Sequence, residues 1–437
     1  MQLALPLPLH RLIPEISRTS PLKSPMYRVS PFVRHFATAL LSGVGLATLW
    51  VNLDPGSYYD TIEYRLSALA PPAWTGLPPA IVTPMNAVSD ALMALFLFFV
   101  AKELWEALVL ERGALSGRAR ASMPLGAVLG GMVGAVAVWL LWSHVLIRPD
   151  DAGVMTGWPV PLGSDVVLCY VFGRAAFGRD HPALHLLLLI TIAFDILGLL
   201  ALCFAAPASP ARLVWLILPL LAVATIRATT SRRVGPHANE RQRRRAFALW
   251  PYLIAGLVSW LGVLLSGLPA ALGLLPMIPV IPHAERSFGL FAEAEEFLHD
   301  PLNRITHLLV RPLPLVLFLF GLTRGGVDFT AFGPTTLAVL GALWLGKPMG
   351  ILTGALIAGA VSGQLLPRDL RLSDLMLIAL IAGCGFTVPV LALDTALPGG
   401  VQAEAARLGL ALSLLAGPVA VAVSRLRKCR ATPPDAP

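Results

Sequence analysis

The sequence predicts an all-α polytopic membrane protein of about twelve transmembrane helices, and three observations carry that expectation. Of the 437 residues, 56% are hydrophobic and only 13% are charged, with a mean hydropathy of +0.73. An ordinary soluble domain is about a quarter charged. The apolar residues also gather into runs of roughly 20, enough to cross a ~30 Å hydrocarbon core as a helix. Finally, the net charge of +8 is unevenly placed. Lys and Arg crowd the N-terminal tail, the connections after even-numbered spans and the C-terminal tail. The opposite side holds Arg65, Arg148, Arg212, Arg324 and Arg407. This asymmetry follows the positive-inside rule and puts both termini in the cytoplasm, as an even number of spans requires.

The expected spans are 36–52, 85–108, 123–147, 158–173, 183–205, 211–228, 246–266, 268–282, 313–332, 335–360, 374–393 and 404–424. Residues 1–35 and 425–437 are then cytoplasmic tails around a single membrane domain, 36–424. The opening "MQLALPLPLHRL" has prolines breaking a very short apolar stretch, unlike a cleavable signal peptide.

Few ionisable residues lie inside spans, and each poses a question, because an intramembrane charge either reaches the interface, finds a partner or marks an ion pathway. Span two, "SDALMALFLFFVAKELWEAL", carries Asp90 near its outer end and Lys102, Glu103 and Glu106 near its inner end. Interfacial solvation is one reading. The other is an acidic vestibule for cations, since Glu103 and Glu106 share a helix face. Span three contains "LGGMVGA" (129–135), small residues that permit close helix approach. In span four, "WPVPLGSDVVLCYVFG", two prolines and Gly163 precede Ser164 and Asp165, so the helix should break there. Broken backbone at membrane depth is tolerated where it lines a cavity or is buried in protein.

Span five, "LLLLITIAFDILGLLALCFA", strands Asp195 in oil with nothing on its own helix to neutralise it. An unpaired charge at the bilayer centre costs at least ~2.5–3.5 kcal/mol. Asp195 therefore needs a basic partner, a proton or a bound cation. Span six is followed by "RRVGPHANERQRRR" (232–245), which reads most simply as a topology anchor rather than a site for nucleic acid. Prolines interrupt span eight, and the connection 283–312 has room for an amphipathic or interfacial helix at most. Within it, Glu293, Glu295, Glu296, His299 and His307 read either as a pH-responsive cytoplasmic patch or as a solvated surface. Span ten carries Lys347 in "ALWLGKPMGILTGAL", the comparably deep cation and so the expected partner of Asp195. Span eleven, "LIAGCGFTVPVLAL", has Gly383, Gly385, Thr387 and Pro389 and should break like span four. One interrupted polar segment in each half of the chain points to an inverted-repeat transporter with its site at the midplane.

Cys169, Cys203, Cys384 and Cys429 lack metal-ligand spacing and read as reduced structural thiols. No phosphate-binding loop or other cofactor motif occurs. A membrane-embedded enzyme would need nucleophiles or paired metal ligands at one depth, and the sequence offers only His185, well along the helix from Asp195.

From 36 to 424 the chain resembles the NhaA-type sodium/proton antiporters of bacteria. The motifs run in order: "DALMALFLFFVAKEL", "GWPVPLGSD", "FDILG", "LSGLPAALGLLPMIPVIP", "LGKPMGI" and "GCGFT". The resemblance implies twelve helices in the inner membrane and exchange of cytoplasmic Na⁺ or Li⁺ for outside H⁺. It implies that Asp195 pairs with Lys347, and that Asp195 and Asp165 are candidates for holding Na⁺. Asp165, Ser164, Gly163, Gly383, Gly385 and Thr387 would lie at the crossing of the interrupted helices. Glu103 and Glu106 would fall in a cytoplasmic funnel, and Asp90 at the start of helix two. Three departures stand out. Ile196 replaces the family's second helix-five aspartate, Arg324 in "GLTRGGV" replaces a small polar residue, and His307 and Arg311 stand where Glu and His are expected. The alternative reading is therefore a degenerate homologue with altered substrate or stoichiometry, or with no transport. A homodimer is implied too, through strands in 53–83, although the prolines of "LAPPAWTGLPPAIV" argue against strand pairing there.

Overall fold

A chain immersed in lipid must satisfy its backbone hydrogen bonds internally, and here it does so with helices. The computed structural model describes residues 32–69, 80–109, 118–146, 154–179, 181–205, 210–234, 248–283, 300–363, 370–397 and 399–431. In chain order come α1 (Phe32–Leu53), α2 (Pro55–Ile62), β1 (Ser67–Leu69) and β2 (Ala80–Val82). Then follow α3 (Met93–Val109), α4 (Arg118–Leu146), α5 (Val166–Phe177), α6 (Pro182–Ala205), α7 (Ile217–Val234) and α8 (Trp250–Ser266). The second half holds α9 (Pro301–Val310), α10 (Leu313–Arg324), α11 (Pro334–Gly341), α12 (Lys347–Ser362), α13 (Leu372–Ile381), α14 (Thr387–Ala396), α15 (Gly400–Ser413) and α16 (Ala416–Ala431).

The protein is all-α and polytopic. Among the described residues, five helices are long and apolar enough to cross a membrane unbroken, or seven if each of two bent pairs counts as one span. The five correspond to expected spans one, three, five, ten and twelve. The remaining expected spans are shorter, broken or more charged helices. The eighth is the least regular: its prolines reduce it to 3₁₀ turns at Ala270–Leu272 and Leu275–Val280.

Three expectations need correction. Span nine ends at Arg324, because Gly325 and Gly326 follow and release the chain from the helix. Its missing length is made up before it: the amphipathic helix expected within 283–312 forms as α9, but it joins α10 at a 54° bend, and the pair together is apolar enough to span. Strands also form in the Pro-rich stretch. Ser67, Ala68 and Leu69 pair antiparallel with Val82, Ile81 and Ala80. The pairing residues flank the prolines rather than include them, so no ladder N–H is missing.

Two glycine seams set the packing. Along α4, a Cβ at Gly126, Gly130 or Gly134 would lie 2.7, 2.3 or 2.3 Å from the carbonyl oxygen of Gly354, Gly350 or Gly346. Spaced four apart, these glycines let the α4 and α12 backbones touch. A Cβ on Gly43 of α1 would likewise overlap Phe318 O of α10. Packed against α4 is α6, whose residues Leu186 to Ile196 are all buried. A helix that is apolar and covered all round is a central one, and Asp195 sits in it.

Candidate functional site

The site is built where spans four and eleven break and meet. In span four, a 3₁₀ turn at Val160–Leu162 gives way to extended backbone at Gly163, and α5 restarts at Val166 with a bend of 50°. In span eleven, α13 stops at Ile381 and α14 restarts at Thr387. The breaks touch: Asp165 N–H donates to Cys384 O at 3.0 Å. Small residues permit this approach. A Cβ on Gly163 would come within 2.6 Å of Val388 and one on Gly383 within 2.6 Å of Leu343 O, while one on Gly385 would sit 3.3 Å from Gly163 O.

Breaking two helices exposes partial positive charge at the restarted N-termini and partial negative charge at the stopped carbonyl ends. Asp165 meets both positive ends. Its Oδ1 accepts the Leu168 N–H at 2.9 Å as the cap of α5, and its Oδ2 accepts the Thr387 N–H at 3.2 Å in the first turn of α14. Ser164 Oγ donates to Ala382 O, past the end of α13, at 2.9 Å. Ser413 on α15 pins the second break by accepting the Gly385 N–H at 3.1 Å.

Lys347 faces the other carbonyl end. A π turn at Ala342–Gly346 immediately precedes it on span ten; such bulges shift a helix face by about one residue and recur at functional sites. The ammonium donates to Gly163 O, lies 3.2 Å from Ser164 Oγ, and sits 4.7 Å from the centroid of the Phe194 ring. Asp195 reaches the same segment from the other side. Its Oδ1 accepts the Ser164 N–H at 2.8 Å, whereas its Oδ2 has no hydrogen-bond partner among the described residues. Ser164, Asp165, Asp195, Lys347 and Thr387 are all 0% exposed.

The expected Asp195–Lys347 ion pair is therefore corrected. No contact within 4.0 Å joins them; both grip the Gly163–Ser164 backbone instead. Exposed peptide groups at the break offer each charge a nearer partner than the other side chain does. Ile196, beside Asp195, is 8% exposed and apolar.

The expected funnel acids lie elsewhere and are not open. On α3, Lys102 Nζ pairs with Glu103 at 3.2 Å and with Glu106 at 2.9 Å, and all three side chains are buried. Neither interfacial solvation nor a free acidic vestibule describes this triad, because all three side chains are buried and the one ammonium is shared by both acids. Asp90 sits in a π turn, Ala87–Leu92, whose Ser89 Oγ accepts from Arg324 Nη2 at 2.8 Å. Arg324 thus ties the end of α10 to the start of span two. His307 is half-buried on α9, while Glu293, Glu295, Glu296 and His299 fall outside the described residues.

Sequence reasoning missed Ser413, the Gly163 and Ala382 carbonyls, and the Phe194 ring. Only the last left a trace, as an aromatic residue next to the buried acid in "AFDILG".

Residues 34–424 match the family described as Na⁺/H⁺ antiporter 1. A Na⁺/H⁺ antiporter NhaA of Jannaschia sp. (strain CCS1) is 38% identical over 413 residues, which is 92% of this chain and 98% of the relative. A Na⁺/H⁺ antiporter NhaA of Geobacter metallireducens is 34% identical over 405 residues, and one of Geobacter sulfurreducens 31% over 404. In both cases the match covers 92% of this chain and 98% of the relative.

Proposed function

The chain belongs to the Na⁺/H⁺ antiporter 1 family and exchanges sodium for protons across a membrane, and we propose that the exchange runs through Asp195 at the meeting point of the two broken helices. One observation carries this assignment. Asp195 is wholly buried, one of its oxygens is held by the Ser164 N–H, and the other accepts no hydrogen bond among the described residues. A carboxylate so placed must be neutralised, and a proton and a hard cation are the two exchangeable ways to do it. Both Asp165 oxygens already accept N–H bonds, so of the two acids expected to hold Na⁺ the cation falls to Asp195. Gly163 O and Ser164 Oγ, which now hold the Lys347 ammonium, are further oxygens close by.

In this cycle Lys347, Na⁺ (or Li⁺) and H⁺ take turns in neutralising the crossing. Na⁺ from the cytoplasm occupies Asp195 and displaces the ammonium. After the site turns outward the ion leaves, and a proton replaces it for the return. Asp165 and Ser164 keep the helix ends compensated throughout, so the crossing survives each change of charge. We place the protein in the bacterial inner membrane with both termini cytoplasmic, on the basic asymmetry of its connections. The β1–β2 hairpin is the surface we assign to a homodimer.

Ile196 limits the charge that can move. With a single exchangeable carboxylate on α6, we expect exchange of one proton per sodium ion. The test is Na⁺/Li⁺ and H⁺ flux in vesicles across pH, on the wild type and on Asp195→Asn, with voltage imposed. Flux that persists in Asp195→Asn sinks the site, and voltage-driven exchange of more protons than sodium ions sinks the one-for-one stoichiometry. Ile196 also keeps the second reading alive, that of a degenerate homologue. If the wild type is silent and Ile196→Asp restores sodium-dependent proton flux, degeneration is the better account.

A further inference from the structure

Phe194 belongs to the hydrophobic core, but packing alone does not account for the charged group that its ring faces. Side by side with Asp195 on α6, it is 0% exposed and presents its face to the Lys347 ammonium at 4.7 Å from the ring centroid. The ammonium's other contacts are the Gly163 carbonyl and the Ser164 hydroxyl, both neutral, with no carboxylate within 4.0 Å among the described residues. A buried cation held by neutral groups depends on each of them. A ring face is a favourable partner for a cation, and more so when both are desolvated.

The ring is itself held in place. Gly131, on α4, lies directly against it: a Cβ there would stand 2.5 Å from Phe194 Cζ and 3.0 Å from Cε1. The same α4 is seamed to α12, the helix that begins with Lys347, through Gly130 and Gly134. One face of the "LGGMVGA" segment therefore sets the position of Lys347 while its neighbour leaves a notch for the ring that receives the ammonium.

We propose that Phe194 is a positioning residue for the exchange, whose ring keeps the Lys347 ammonium on the broken helix and away from Asp195, so that the carboxylate stays available to Na⁺. This rests on the assignment of Asp195 as the exchange site. Weakening the ring's negative face lets the ammonium move to the nearest full negative charge, Asp195, where it competes with sodium.

The test is to replace Phe194 by mono-, di- and trifluorinated phenylalanine, which keep the ring's shape while withdrawing its negative face stepwise. Flux is measured in proteoliposomes as a function of sodium. The KM for Na⁺ is expected to rise with each fluorine, reaching roughly tenfold at the trifluorinated ring, with kcat within about twofold. Gly131→Ala, which pushes the ring aside without changing it, should raise KM in the same direction. A KM that is flat or falls across the fluorinated series overturns the proposal, whatever Gly131→Ala does. Asp195→Asn, assayed in parallel, separates the two claims: a dead Asp195→Asn with a flat series defeats the role of Phe194 alone, and an active Asp195→Asn defeats the exchange site itself.

Discussion

Lys102 and Lys347 are both 0% exposed, and each has carboxylates in its neighbourhood, yet the protein neutralises them in opposite ways. Lys102 is satisfied on its own unbroken helix, by Glu103 beside it and Glu106 a turn away. Lys347 is satisfied by backbone from another element, the carbonyl at the break of span four, while Asp195 takes the N–H of the following residue. The first arrangement ties charge to charge: each of the three has a charged partner fixed to the same helix. The second is open, because peptide groups at a break compensate each charge in part and leave one Asp195 oxygen uncommitted. Burial alone does not make a transport site. What matters is whether the charges are tied to one another or to a frame that remains when they change.

The sharpest way to break this contrast is Asp195→Asn. It removes the uncommitted charge, and sodium-dependent proton flux in everted vesicles should drop by at least about 1,000-fold; appreciable residual flux would mean that the open region is not the site. Next is Lys102→Met. Leaving two buried acids without their cation should cost about 3–5 kcal/mol, read as a lower Tm of the purified protein, while the KM for Na⁺ in the folded fraction stays within about twofold. Replacing the whole triad together (Lys102→Met, Glu103→Gln, Glu106→Gln) should recover most of that stability, because it leaves none of the three as an uncompensated buried charge. A change in sodium KM with either variant would erase the distinction between the two regions.

Smaller effects test the frame. Asp165→Ala uncaps α5 and α14 at once, and two lost caps predict about 2 kcal/mol of stability together with reduced flux. Unchanged unfolding would show that the helix ends find other partners. Gly130→Ala forces a Cβ against Gly350 O, an overlap that should cost about 1–3 kcal/mol and loosen α4 from α12. The measurement is Tm against the same change at Gly45, where a Cβ meets nothing within 4 Å.

Much of this was legible from residue types. Long apolar runs dictated helices, and Gly and Pro at 159–163 and 383–389 dictated the two breaks. The cost of an isolated acid singled out Asp195 and Lys347. The triad escaped because spacing along a helix says that Glu103 and Glu106 share a face, not which way Lys102, adjacent to Glu103, bends its long side chain. The hairpin escaped because composition averaged over 69–82 hides the apolar residues at both ends of that stretch.

The sequence by itself determined that this chain lives in a membrane, where its helices must stop, and that a few charges inside them require compensation, since transfer cost depends on residue type alone. Only the tertiary structure decided what compensates each one. Whether Lys347 meets Asp195 or the Gly163 carbonyl turns on how closely α4, α6 and α12 approach the breaks, and that distance is set by glycine contacts between helices far apart in the chain.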